Sequence, residues 1–211
     1  MAKTMTPSVM TDGQIERAIE IFRAQLRKHQ NELPSEAVQI VLGQSKLGHE
    51  LLAVLRKRVE AVRGTIVTVD RSVRPTYPYW MDKVIHLELE NTGPSKYDLV
   101  RNVLLWLHDD QKKGGRTTGQ TIYDYLKKHD MLKSCLGLQD ALAIQKLGVA
   151  VFQKVFGNNV VYFWKSVVWS RGEELNIPHL YVRDGEVVLD WFMHLRYYFD
   201  SHHPAVRFAS S

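Results

Sequence analysis

From Thr11 onward the apolar residues fall at helical spacing. Ile15, Ile19, Phe22 and Leu26 recur at intervals of three and four, which places them on one helix face, with Arg17, Glu20, Arg23 and Lys28 outside it. Thr11 followed three residues later by Gln14 resembles a capping box, in which the hydroxyl satisfies a free amide at the helix start. The segment Asn31–Pro34 ends this helix. Ser35 can cap the next one, with Val38 and Leu42 on its inner face, and Leu47, Leu51, Leu55, Val59 and Val62 continue the pattern to Gly64. The pattern predicts a helical unit over residues 11–63, preceded by a disordered tail over residues 1–10.

At Gly64 the period changes, opening a second unit over residues 64–211. Thr65–Arg71 reads as a strand. Pro75-Thr-Tyr-Pro-Tyr-Trp80 must be irregular, because its two prolines forbid regular pairing. Lys83–Glu90 alternates Val84, His86 and Glu88 against Ile85, Leu87 and Leu89, a strand with one buried face. Tyr97–Leu107 is densely apolar and reads as a buried strand, with a helix as the alternative. A glycine-rich basic loop, Lys112–Gly119, leads to a helix starting at Thr118 with Ile122, Tyr125 and Leu126 inside. A second helix runs within Gly137–Phe156, with Leu142, Ile144, Leu147, Val151 and Val155 apolar, and Gly157-Asn158-Asn159 stops it. Val160–Ser170 is a strong strand. Leu180–Arg183 and Glu186–Trp191 flank Asp184-Gly185, the preferred chemistry of a two-residue type I′ hairpin. Ala205–Ala209 is a last short strand.

Composition narrows the picture. The 211 residues suffice for one large domain or two small ones, and a hydrophobic share of 45% is enough for a core without staples. The net charge of +5 sets 28 basic residues against 23 acidic ones, which permits an acidic partner without demanding one. A single cysteine, Cys135, excludes an intramolecular disulfide and reads as a small core residue. No signal-peptide pattern and no apolar run of membrane-spanning length occurs, so a cytoplasmic protein without membrane insertion is expected.

Several segments carry candidate chemistry. The loop Lys112–Gly119 precedes a helix start that could hold a phosphate on its amides, but it lacks P-loop and dinucleotide spacing and reads as a solvated loop. The basic run Arg56-Lys57-Arg58, with Lys46 and Arg63, permits nucleic-acid binding but reads as a charged helix face. His108-Asp109-Asp110 are adjacent, and adjacent residues rarely converge on one ion. Asp190, His194, His202 and His203 could be read as the metal centre of a hydrolase, yet no recognised ligand spacing is present. No metal or other cofactor is therefore expected.

The stretch Asp190-Trp-Phe-Met-His-Leu-Arg-Tyr-Tyr-Phe-Asp-Ser-His-His203 shows neither alternation nor helical spacing. It mixes rigid amphipathic rings with small polar groups, the composition of an antibody-like recognition surface. The ordinary alternative is a strand and loop whose aromatics fill the core.

The order strand, helix, helix, strand, long loop, hairpin, short final strand over residues 97–211 resembles a C-type lectin-like fold. The calcium-binding Glu-Pro-Asn and Trp-Asn-Asp motifs of true lectins are missing, so sugar binding through calcium is not implied. The frame Val187-Val-Leu-Asp-Trp191, a varied stretch, then Pro204-Ala-Val-Arg-Phe-Ala-Ser210 is similar to uncharacterised proteins of candidate-phylum bacteria. It also resembles the variable ends of proteins targeted by diversity-generating retroelements, in which adenines of a template are randomised. Asparagine codons then become codons for Tyr, His, Asp, Ser or Phe, among others. The resemblance implies Phe192, His194, Tyr197, Tyr198, Phe199, Asp200, Ser201, His202 and His203 as diversified ligand-binding residues. Trp191 and Met193 would be invariant spacers, with Trp191 a core anchor. The expectation is an α+β protein with a helical N-terminal unit and a mixed domain with a C-type lectin-like core. It would be non-enzymatic and display its C-terminal surface to a protein or other macromolecule. The helical unit would dock the chain to a partner or make an oligomer.

Overall fold

The computed structural model describes residues 10–172, 174–193 and 195–209; the expected tail over residues 1–10 lies almost wholly outside these. The chain divides into two compact units, residues 1–57 and 58–211.

The first unit is helical. Helix α1 spans Asp12–Lys28 and carries the capping box: Gln14 N donates to Thr11 Oγ1 at 3.3 Å and Thr11 N donates to Gln14 Oε1 at 2.9 Å. Helix α2 spans Ser35–Leu42 with Pro34, and not Ser35, at its cap position, and α3 spans Leu47–Arg63. The expected inner faces are not inner: no described residue from 10 to 60 is buried, and Ile15, Ile19, Phe22, Leu26, Leu42, Leu51, Leu55 and Val59 are all exposed.

The second unit is α+β. Strands β1 (Ile66–Thr68), β2 (Met81–Val84) and β3 (Lys96–Asp98) precede a single helical turn, α4 (Leu99–Asn102), and β4 (Val103–Trp106). The short β5 (Thr117–Thr118) runs into α5 (Gly119–Lys128); α6 (Leu138–Gln145) and α7 (Val149–Phe156) follow. The remaining strands are β6 (Val161–Tyr162), β7 (Val168–Ser170), β8 (Leu175–Arg183), β9 (Glu186–Met193), β10 (Tyr198–Phe199) and β11 (Ala205–Phe208). The main sheet has the order β2-β7-β8-β6-β11-β4, with β9 also paired to β8. All its pairings are antiparallel except β6 with β11. Small two-stranded sheets join β1 to β3 and β10 to β5.

The hairpin β8–β9 turns at Asp184 (φ 52°) and Gly185 (φ 79°), the positive values that a type I′ turn needs at both central residues. Alternation along its strands sorts side chains to two cores. Leu180, Val187 and Leu189 join Ala141, Ile144, Phe152 and Phe156 of α6 and α7 on one face. Ile177 and Phe192 join Ile122, Tyr123 and Leu126 of α5 on the other. The sheet is thus covered on both faces, and its strands read as apolar runs, without a clean alternation.

Four strand or helix expectations are corrected. The strand expected over Lys83–Glu90 stops at Val84: Leu89 N donates to His86 O and Thr92 N to Leu89 O, both at 2.9 Å, closing consecutive turns. Ile85 and Leu89, one helical turn apart, still reach the second core. Within Tyr97–Leu107, Asp98 accepts from Val100 N at 2.9 Å and caps the turn of α4 between two strands. The helix expected within Gly137–Phe156 is two helices, broken where Gly148 takes φ 83°. Val160–Ser170 is interrupted by a 3₁₀ turn at Trp164–Ser166, where Ser166 Oγ accepts from Leu138 N at 2.7 Å at the start of α6.

Candidate binding surface

The candidate surface is built on the start of α5. The first amides of a helix have no partner within it. Thr118 Oγ1 takes the Thr121 amide at 3.2 Å. The next stretch of chain takes two more: Gln120 N donates to Leu195 O at 2.7 Å and Gly119 N to Tyr197 O at 3.1 Å. These bonds occupy the amides that a phosphate would need, so the loop Lys112–Gly119 is not an anion cradle.

The approach is close enough to require a glycine. A Cβ on Gly119 would sit 2.7 Å from Phe199 Cε2 and 3.1 Å from Leu195 Cα. Beyond Tyr197, β10 pairs antiparallel with β5, Tyr198 opposite Thr118 and Phe199 opposite Thr117. Asp200 to His203 then form a closed turn, with His203 N donating to Asp200 O at 3.1 Å. Gln111, itself buried, donates from one Nε2 to Asp200 O at 2.8 Å and His203 O at 3.1 Å. Val160 N donates to His202 O and Tyr162 N to Pro204 O, both at 3.0 Å. The main chain from Leu195 to Pro204 is therefore tied to α5, β5, the Gln111 turn and β6.

Side chains point both inward and outward from this fixed backbone. Leu195 and Phe199 are buried; the Phe199 ring packs at 4.8 Å from Tyr162 and 5.2 Å from Phe192. Phe192 is half-buried in the same core, reaching His179 and Tyr162. Phe199 and, for the most part, Phe192 therefore leave the proposed ligand-facing set: their rings hold the surface from beneath. Tyr197 and Tyr198 are 58% and 61% exposed, and Ser201 and His202 are exposed at the turn tip. The Arg116 guanidinium lies 4.9 Å above the Tyr198 ring, a cation–π contact that orients it.

Asp200 and His203 serve the turn. Asp200 Oδ1 accepts from His202 N at 2.8 Å and lies 2.8 Å from His203 Nδ1. The His202 amide foremost, and the imidazole after it, hold the Asp200 carboxyl below the usual carboxylate range. His203 is half-buried against Phe199 and Tyr162. His194 lies outside the described residues. Asp190 is exposed on β9 and turns its carboxylate back to the Trp191 amide at 2.8 Å. Among the described residues, no three His, Cys, Asp or Glu side chains are grouped to hold a metal ion.

Trp191, expected in the core, is half-buried, with its ring 5.7 Å from Trp80 and 6.0 Å from Tyr77. Cys135 is fully buried, and burial pushes its thiol up to about 12. His179 lies beneath the surface, stacked on Tyr162 and Tyr181, and burial lowers its pKa to about 4.

Sequence reasoning missed Gln111, Gly119 and Arg116. A glycine at a helix start is visible in the sequence, but its reason, the Phe199 ring, lies far along the chain. Arg56, Lys57 and Arg58 lie on α3 and are exposed, as a solvated helix face would be. No helix is long and apolar enough to cross a membrane among the described residues. No family model, no curated protein and no solved structure matches the chain.

Proposed function

We propose that the chain is a non-enzymatic display protein whose C-terminal surface binds a macromolecular ligand through Tyr197, Tyr198, Ser201 and His202. One observation carries this reading: the backbone from Leu195 to Pro204 is fastened by main-chain bonds and by Gln111, while these four side chains stand exposed. Preorganised rings bind without the cost of ordering a loop, and tyrosine supplies large contact area for few rotatable bonds.

Variation confined to those positions would leave the fastenings untouched, which fits the resemblance to variable proteins of diversity-generating retroelements. The lectin-like reading of residues 97–211 draws support from the pairing of β4 with β11, strands that bracket the helices α5, α6 and α7 and the β8–β9 hairpin.

Two experiments test the reading. The codons for residues 192–203 are sequenced across a population, together with the flanking DNA. The expected result is an adenine-restricted spectrum of substitutions concentrated at the exposed positions; uniform codons refute diversification. Independently, Tyr197, Tyr198, Ser201 and His202 are randomised on a display scaffold and selected against hen lysozyme as a probe. Folded binders are expected, and a library that unfolds refutes the separation of surface from fastening.

A further inference from the structure

Helix α1 carries an apolar face that nothing in its own unit covers. Ile15, Ile19, Phe22 and Leu26 are 42%, 44%, 49% and 46% exposed, and α1 has no buried residue. A lone helix of this length is marginal in water, because helices in proteins are stabilised mainly by packing of their apolar face. More than half of the large apolar side chains exposed among the described residues fall within the first 57 positions.

The spacing of this face is specific. Steps of four, three and four from Ile15 to Leu26 place these residues at successive d, a, d and a positions of a heptad, the seam of a two-stranded coiled coil. Ile21 stands off the seam. Apart from Arg17, which pairs with Glu20 on the outer face, charge along α1 is polarised: Asp12, Glu16 and Glu20 lie toward its start, Arg23, Arg27 and Lys28 toward its end. Two copies side by side in parallel would set like charges together. Two copies head to tail set the acidic start of each against the basic end of the other.

The flanking residues sharpen the choice. Glu16 and Arg23 both occupy the e position beside the seam. When Ile19 of one helix packs against Phe22 of an antiparallel copy, e faces e, so Glu16 meets Arg23 of the second copy and the two-fold axis repeats the pair. Within the chain, Arg17 and Glu20 pair on the outer face at 3.0 Å, whereas Glu16 and Arg23 make no ion pair among the described residues. Glu16 and Arg23 thus stand available to an antiparallel copy.

We propose that α1 is a homodimerisation helix that pairs antiparallel with α1 of a second copy. The occupant of the face is this same sequence, because both its seam and its charges are self-complementary. A helix of 17 residues is about 25 Å long, near the lower limit for the roughly 1,000 Å² that a specific interface needs. Association is therefore concentration-dependent, in the range of micromolar Kd. A dimer would carry two C-terminal surfaces in one particle and raise their apparent affinity for a multivalent ligand.

Sedimentation equilibrium of the full chain across roughly 1–100 μM tests this. The expected result is a monomer of 24.4 kDa in exchange with a species of twice that mass. Glu16→Arg or Arg23→Glu alone should weaken the dimer about tenfold, since each turns two attractive contacts into repulsions. The double variant Glu16→Arg/Arg23→Glu recreates both pairs with the signs exchanged and should restore association. Circular dichroism of each variant confirms that helix content is kept. A parent that stays monomeric throughout overturns the proposal, as does a trimer or larger assembly. It is equally overturned if the single reversals change Kd by less than about twofold or if the double variant is weaker than both singles.

Discussion

Tyr198 and Phe199 are neighbours on a two-residue strand, yet their replacement should have very different costs. Truncating Phe199 to Ala removes a fully buried ring that packs against Tyr162, Phe192, Trp164 and His203. Phe→Ala changes in such sites cost about 3–5 kcal/mol. Truncating Tyr198 to Ala leaves the main-chain pairing with Thr118 intact and forfeits chiefly the contact with Arg116, about 0.5–1 kcal/mol at an exposed site. For a domain of this size, 1 kcal/mol moves Tm by roughly 2–4 °C. Phe199→Ala should therefore lower Tm by roughly 6–20 °C and Tyr198→Ala by less than about 4 °C. Melting followed by circular dichroism near 222 nm, with near-ultraviolet ellipticity as a report on ring packing, distinguishes them. Equal shifts, or a larger loss for Tyr198→Ala, would refute the division between anchoring and outward rings, and with it the proposed binding surface.

Three further outcomes are expected. Gly119→Ala should destabilise by about 1–3 kcal/mol despite alanine's better helix propensity, because its Cβ meets the buried Phe199 ring and the Leu195 backbone; a midpoint in urea equal to the parent's would contradict the close approach. Gly185→Val should destabilise by at least about 1 kcal/mol, since φ of 79° resists a β-branched side chain, and an unchanged melting temperature would show the turn to be built otherwise. His179 is held uncharged by burial, with a folded pKa of about 4 against the ordinary histidine value of about 6.5. The unfolded chain binds the extra proton between those values, so this stability is fully present above about pH 6.5 and is lost as pH falls toward about 4, by at most about 3 kcal/mol. Urea titrations at pH 7 and near pH 4 should show a smaller fall for His179→Phe than for the parent; identical falls would remove His179 as the cause.

The legibility of the chain follows how local each cause is. The capping box at Thr11 and Gln14, the hairpin at Asp184-Gly185 and the helix start at Thr118 depend on a few adjacent residues, and the sequence shows them directly. Lys83–Glu90 alternates as a strand should, but a strand needs a partner, and the one available, β7, pairs only as far as Val84. The apolar run Val160–Ser170 hides two buried polar residues, Lys165 and Ser166, whose partners Thr92 and Leu138 lie elsewhere in the chain. In the C-terminal stretch, composition pointed to a surface but could not sort its rings. That Phe199 points inward and Tyr198 outward depends on the register of β10 against β5, a contact across some eighty positions.

The fastening of Leu195–Pro204 has an evolutionary consequence. Its stitches are mostly amide and carbonyl groups, which every residue type carries, joined by Gln111 from outside the stretch and by the Asp200 and His203 side chains within it. A change of codon at an outward position rewrites what the surface presents without loosening what holds it. Proline is the one letter barred where an amide donates, as at His202 and His203. Structural constraint is thereby displaced onto residues outside the stretch, such as Gln111 and Gly119, or beneath it, such as Phe199. The outward positions can drift nearly neutrally while those few cannot, and under the proposed binding role a lineage carrying this fold would change partners on a scaffold it need not repair.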